Sequence, residues 1–147
     1  MAKKTIVICT SAAFYEHANE IAVELEKNGF NVVVPATAIR MQEENNYSVE
    51  RIKTWYDKPE DVRIKQGLAR KHFEEVEKGD AILIVNDDKP GKPTYIGPNT
   101  IMEWGLAYYL NKPIFLLNSV GKDQNTYEEA LGMTTTILDG DLSKIKL

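Results

Sequence analysis

Two short runs constrain this chain more than anything else in it: TIVIC at Thr5 to Cys9 and AILIV at Ala81 to Val85. Each carries apolar side chains on both faces of an extended backbone and is bounded by turn-forming or polar residues. A strand with two apolar faces belongs in a parallel sheet covered by helices on each side, whereas a half-wetted strand alternates apolar with polar. The chain between them begins to supply the crossover. Ala18, Ile21, Ala22 and Leu25 recur at helical spacing and leave Glu16, Glu20, Glu24 and Lys27 outward. Asn28-Gly29 ends that helix, glycine being favoured just past a helix C-terminus. Phe30 to Val34 then reads as a second buried strand, stopped by Pro35. Strand, helix, strand in that order predicts a right-handed crossover and a parallel sheet.

From Ala36 to Lys58 the helical periodicity is only partial, and a connection of this length points to a functional or mobile segment. Pro59 suits a first helical position, with Glu60 and Asp61 beside the positive end of the helix dipole. Val62, Leu68, Ala69, Phe73 and Val76 predict an apolar stripe on this helix, which Lys78-Gly79 closes. After AILIV, the loop from Asn86 to Asn99 is rich in Gly, Pro, Asp and Lys. Asn99 or Thr100 is expected to cap a helix over Ile101 to Leu110, and Asn111-Lys112-Pro113 breaks it. Ile114 to Leu117 returns as a strand, followed by a short helix at Tyr127 to Leu131 and an edge strand at Thr135 to Leu138. The expected fold is a single α/β domain over residues 1–147. It is a three-layer, open, mainly parallel sheet with helices on both faces, of the flavodoxin or Rossmann-like kind.

Composition narrows the partners. A net charge of −4 gives no global attraction for nucleic acid or a membrane surface. The one cysteine, Cys9, rules out a disulfide within the chain and fits a reducing compartment. The N-terminal MAKKTIVIC run is too short for a signal h-region or a membrane span, so a soluble, cytoplasmic protein is expected. The two histidines, His17 and His72, stand far from each other and offer no zinc-ligand spacing with Cys9. No metal and no cofactor are expected.

In an open parallel sheet, ligands bind outside the carboxyl ends of the strands. That rule selects the loop Thr10 to Tyr15, the loop Asn86 to Asn99 and the start of the helix after it. Neither a GxGxxG nor a GxxxxGK[ST] fingerprint is present. Glu103, in GPNTIMEWGLA, stands out with two readings. It is either a carboxylate at the ligand crevice, able to act as nucleophile or general base, or the last member of a capping box Thr100-x-x-Glu103. Asp87 and Asp88 could hold a substrate phosphate through Mg²⁺ or simply form a turn before Lys-Pro-Gly. Asn86 and Asn99 could bond a sugar or base or serve as loop and cap residues. Tyr15, Tyr95 and Trp104 could stack on a base, and Trp104 with Tyr108 could form a subunit contact. Lys89, Lys92 and Lys112 make a small basic cluster along the sequence. His17 is expected at the surface.

The segment NDDKPGKPTYIGPNTIMEWGLAYYLNKPIFLL resembles the signature region of the nucleoside 2-deoxyribosyltransferase superfamily, which includes the 2′-deoxynucleoside 5′-monophosphate N-glycosidases. The shared pattern is an aspartate-led apolar strand, a loop, E-x-G-x-A and a hydrophobic strand after a Lys-Pro turn. Here these are Asp80-AILIV, then Glu103, Gly105 and Ala107, then Lys112-Pro113-IFLL. A weaker likeness extends over Thr5 to Pro35. The resemblance implies that Glu103 attacks the anomeric carbon and displaces the base, in the manner of a retaining glycosidase. It implies Ser11 as a contact to the sugar phosphate. The chain departs from the pattern in having His72 where an aspartate is usual, Val7 in place of a tyrosine, and Gly97 in place of a serine or aspartate. His72 could take the aspartate's part as an orienting or proton-transferring group. The partner implied is a small nucleoside or nucleotide, with a homodimer or higher homo-oligomer expected. The alternative is a nucleotide-binding or sensing module of the same fold without turnover.

Overall fold

The computed structural model describes residues 2–147. Five strands, β1 (Thr5–Thr10), β2 (Asn31–Val33), β3 (Ala81–Val85), β4 (Ile114–Leu116) and β5 (Thr136–Ile137), form one sheet in the order β2-β1-β3-β4-β5. Every pair is parallel. The longest register joins β1 to β3, from Ile6 opposite Ala81 to Thr10 opposite Val85, and so unites the two apolar runs at the centre of the sheet.

The pleat sends alternate residues to opposite faces, and each face has its own helices. Ile6, Ile8, Leu83, Val85 and Phe115 pack with Ala18, Ile21, Ala22 and Leu25 of α1 (Tyr15–Lys27) and with Leu138, Leu142 and Ile145 near the C-terminus. On the other face Val7, Cys9, Ile82, Ile84, Ile114 and Leu116 meet α3 (Val62–Lys78), α4 (Pro98–Tyr109) and α5 (Tyr127–Gly132) through Val76, Trp104, Ala107 and Ala130. This is the expected three-layer α/β architecture, with the sheet wholly parallel. Asp80 fastens its base, accepting a hydrogen bond from the Thr5 backbone at 2.7 Å. Gly79 ends α3 where a Cβ would fall 2.5 Å from the Val7 side chain, so any larger residue forces that side chain or the backbone around it to shift. Among the described residues, no helix is long and apolar enough to cross a membrane.

Three local expectations change. The partly periodic segment after Pro35 contains a true helix, α2 (Ala36–Glu43), whose Ala38 and Met41 are buried. Pro59 opens a single 3₁₀ turn, Pro59–Asp61, that leads into α3. On α3 itself Val62 is exposed, while the buried positions are His72 and Val76. Its expected stripe is therefore only partly core; Leu68, Ala69 and Phe73 line a cleft.

Candidate functional site

Strand order reverses direction between β1 and β3, and the crevice at such a switch point is where open α/β sheets hold ligands. A cleft opens there. Its floor comes from Ser11 after β1 and from Gly97, Asn99, Thr100 and Glu103 at the start of α4. One wall is α3, through Lys65, Leu68, Lys71 and His72; the other is the segment after β2, through Pro35, Thr37, Ile52, Lys53 and Trp55. Residues 36–58, irregular by pattern, thus supply a wall of the site. Only the length of that connection hinted at it.

Glu103 does not cap its helix. Gly97 is the N-cap in extended backbone, and Pro98, which lacks an N–H to leave unpaired, takes the first helical position. The helix therefore begins three residues before the expected Ile101, and Glu103 lies in its second turn. There it is 5% exposed and faces α3 rather than the solvent. Its Oε2 is 3.4 Å from Nε2 of His72, and Nδ1 of His72 is 3.8 Å from Oε2 of Glu75, one turn further along α3. His72 is 7% exposed, and neither ring nitrogen meets a hydrogen-bond partner of good geometry.

Burial governs the charges here. Removal from water pushes the Glu103 carboxyl up to about 8; Lys65 opposes the rise and Glu75 adds to it. The same desolvation brings His72 down to about 4, against a backbone carbonyl, that of Ile8, which favours the charged ring. Burial also lowers Lys65, with Glu103 opposing. At neutral pH the resting pair is thus a protonated carboxyl beside a neutral imidazole. Beneath them lies the buried thiol of Cys9, raised by burial first and by Glu103 and Glu75 after it. One ligand atom from each of Cys9, His72 and Glu103 falls within 4.8 Å of the others. Among the described residues these are the group able to hold a metal ion, and no sequence spacing announces them because β1, α3 and α4 contribute one each.

The other residues singled out by the sequence divide. Ser11, Gly97, Asn99, Tyr15 and Tyr95 line the cleft. Asp87 and Asp88 do not: Asp87 pairs with Nδ1 of His17 at 2.7 Å, and Asp88 accepts a hydrogen bond from the Thr94 backbone at 2.8 Å. Asn86 is fully buried and reciprocally bonded to Asn118, so it ties together the carboxyl ends of β3 and β4. Trp104 belongs to the core at 1% exposure, its indole N–H donating to the Met133 carbonyl, and is available neither to a base nor to a partner. The basic cluster is split as well. Lys89 and Lys92 lie over the Tyr95 ring, while Lys112 donates to the Gly79 carbonyl at the opposite end of the sheet.

The fold and cleft together define an open-sheet α/β domain with a buried carboxylate at its switch-point crevice. No protein-family model matches the chain. No curated protein matches it either. Among solved structures it is similar to a CMP N-glycosidase of Clostridium botulinum, BcmB, at 14% sequence identity over 92% of this chain and 90% of that one, with a TM-score of 0.49.

Proposed function

We propose that this protein cleaves the N-glycosidic bond of a nucleoside or nucleotide, or transfers its glycosyl group, with Glu103 as the nucleophile. The observation that carries the reading is Glu103 itself, a buried carboxylate released from capping and set in a cleft between aromatic and lysine side chains. The resemblance of Glu103-x-Gly105-x-Ala107 to the deoxyribosyltransferase pattern supplies the reaction type. Trp55, Tyr15 and Tyr95 offer flat faces to a base. Lys53, Lys65 and Lys71, with the open N-terminus of α4, suit an anionic group on the sugar. Ser11 and Asn99 are the sugar or phosphate contacts.

In this mechanism Glu103 reacts as its carboxylate, its proton given up to solvent, with Nε2 of His72 3.4 Å away. The carboxylate oxygen then bonds to the anomeric carbon as the carbon–nitrogen bond breaks, and the bonding pair leaves with the base. The departing nitrogen takes its proton from solvent, relayed through His72. Water attacks the glycosyl ester and regenerates Glu103 in the hydrolytic branch, while a second base does so in the transfer branch.

One observation favours a second reading, a module that binds the nucleotide without turnover. With its carboxyl held at about 8, Glu103 is mostly protonated at neutral pH, and a neutral carboxyl is a far weaker nucleophile than a carboxylate. A single experiment separates the two. The protein is incubated at pH 7 and pH 8.5 with ribo- and deoxyribonucleosides and their 5′-monophosphates, and free base is followed by chromatography beside Glu103→Ala. Release that Glu103→Ala abolishes, and that is greater at pH 8.5, supports the enzyme. Saturable binding with no base released at either pH assigns the chain to the second reading.

A further inference from the structure

We propose that Cys9, His72 and Glu103 form a site for one divalent cation of the zinc type, open to the cleft at its fourth position, and that the bound cation silences Glu103. The three side chains come from β1, α3 and α4 and are 0%, 7% and 5% exposed, so the donors are already gathered and desolvated. The His72 ring is the second, independent observation. It is a polar group more than nine-tenths buried, and neither nitrogen meets a hydrogen-bond partner of good geometry, the nearby Ile8 carbonyl included. A buried imidazole left in that state costs stability unless something occupies it.

The geometry fits a metal better than a hydrogen bond. At 3.4 Å, Nε2 of His72 and Oε2 of Glu103 are too far apart for a good N–H···O bond. Tetrahedral zinc, with bonds of about 2.0–2.1 Å to nitrogen and oxygen, places two such ligands about 3.3 Å apart, and a thiolate sulfur about 3.5 Å from the nitrogen. The Nε2–Oε2 edge is thus already at its bound length, and the sulfur, within 4.8 Å of a donor atom of each residue, has to draw in. The other ring nitrogen, Nδ1, stands 3.8 Å from Oε2 of Glu75, too far for a hydrogen bond, so Glu75 would orient the imidazole toward a metal only after closing on it.

Ligand chemistry selects the ion. One sulfur, one nitrogen and one oxygen suit zinc and disfavour Mg²⁺ and Ca²⁺, which require oxygen donors. His72 and Glu103 border the cleft whereas Cys9 lies beneath it, so the remaining coordination position faces the cleft and takes water. On binding, the Cys9 thiol and the Glu103 carboxyl release their protons to solvent as the metal–ligand bonds form. A carboxylate oxygen held by the cation is no longer free to attack carbon. This second half rests on the glycosidase reading; the binding site does not.

The test uses the full chain stripped with a chelator and titrated with Co²⁺ as a spectroscopic stand-in. One equivalent should produce intense visible absorption of a four-coordinate site and a near-ultraviolet thiolate-to-cobalt band, both displaced by Zn²⁺. Cys9 is the only cysteine, so that band has one source. Cys9→Ser, shown by circular dichroism to be folded, should lose it, and His72→Gln should weaken binding by roughly tenfold or more. No saturable spectrum at stoichiometric Co²⁺, or a near-ultraviolet band that survives Cys9→Ser, overturns the site. In parallel, base release from stripped protein should fall roughly tenfold or more with one equivalent of Zn²⁺; unchanged release from metal-saturated protein overturns the silencing. If stripped protein releases no base at all, the glycosidase reading fails while the cobalt spectrum still decides the site.

Discussion

Glu103 and His72 should imprint a particular shape on the stability of the protein against pH. The folded Glu103 carboxyl stands at about 8 against an ordinary 4.5, so between these values the native state holds a proton that the unfolded chain has lost. Stability then falls as pH rises, by about 1.4 kcal/mol per pH unit, and the fall ends near pH 8. His72 acts in the opposite sense. Its folded value is about 4 against 6.5, so between these the unfolded chain holds the extra proton and stability rises with pH at the same slope. From about pH 4.5 to 6.5 the two contributions cancel. From 6.5 to 8 only Glu103 remains, and the protein should lose about 2 kcal/mol, or roughly 4–8 °C in Tm. Glu103→Gln removes this loss and leaves the rise due to His72 below pH 6.5. Glu75 is also raised by burial, and because it is present in both proteins the difference between their profiles isolates Glu103. The assay is urea unfolding from pH 5 to 9 with chelator present, read as ΔG at constant m. Superimposable profiles for the wild type and Glu103→Gln, or a gain in wild-type stability from pH 6.5 to 8, would refute the burial argument.

Three further outcomes follow from particular contacts. Asn86→Ala strands the backbone N–H and carbonyl of Asn118 at the buried ends of β3 and β4, leaving only the Asn118 side chain's bond to the residue 86 carbonyl, and should cost about 3 kcal/mol by denaturant unfolding without altering ligand affinity. Trp55→Ala removes a half-buried cleft wall; KM or Kd for a nucleotide should rise roughly tenfold while Tm stays nearly unchanged, since base–aromatic stacking is worth about 1–3 kcal/mol. Gly97→Ser should be accepted, because its Cβ would meet Tyr95 and Ser11 at ordinary contact distances of 3.6–3.8 Å. A serine at this N-cap should stabilise α4 by a few tenths of a kcal/mol, about 1 °C by calorimetry, and a drop of several degrees would contradict the open space seen there.

Much of the scaffold could be read from local pattern. Ala81–Val85 is a strand at the very positions its apolar run marks, and the strands at Thr5, Ile114 and Thr136 fall within a residue or two of their expected bounds. The rule that ligands gather beyond the carboxyl ends of strands led to Ser11, Asn99 and Glu103, which share one cleft. The misreadings have a common cause. Thr100-x-x-Glu103 has the spacing of a capping box, but where a helix starts depends on which residue leaves extended backbone first, and Gly97-Pro98 does so earlier. Trp104 looked available because an aromatic beside a candidate glutamate carries no mark of the side it faces; packing on Val7, Ile82 and Ile114 turned it into the core.

The sequence by itself determined the layers: apolar runs of strand length, helical spacing between them and glycine or proline at the joints are short-range signals, and they fix what each segment must bury. Only the tertiary structure decided the site. Cys9, His72 and Glu103 are more than thirty residues apart from one to the next and meet because parallel strands carry α3 and α4 to the same face of β1. Their shifted charges follow from that meeting, since desolvation is a property of the packed surroundings and not of any stretch of chain.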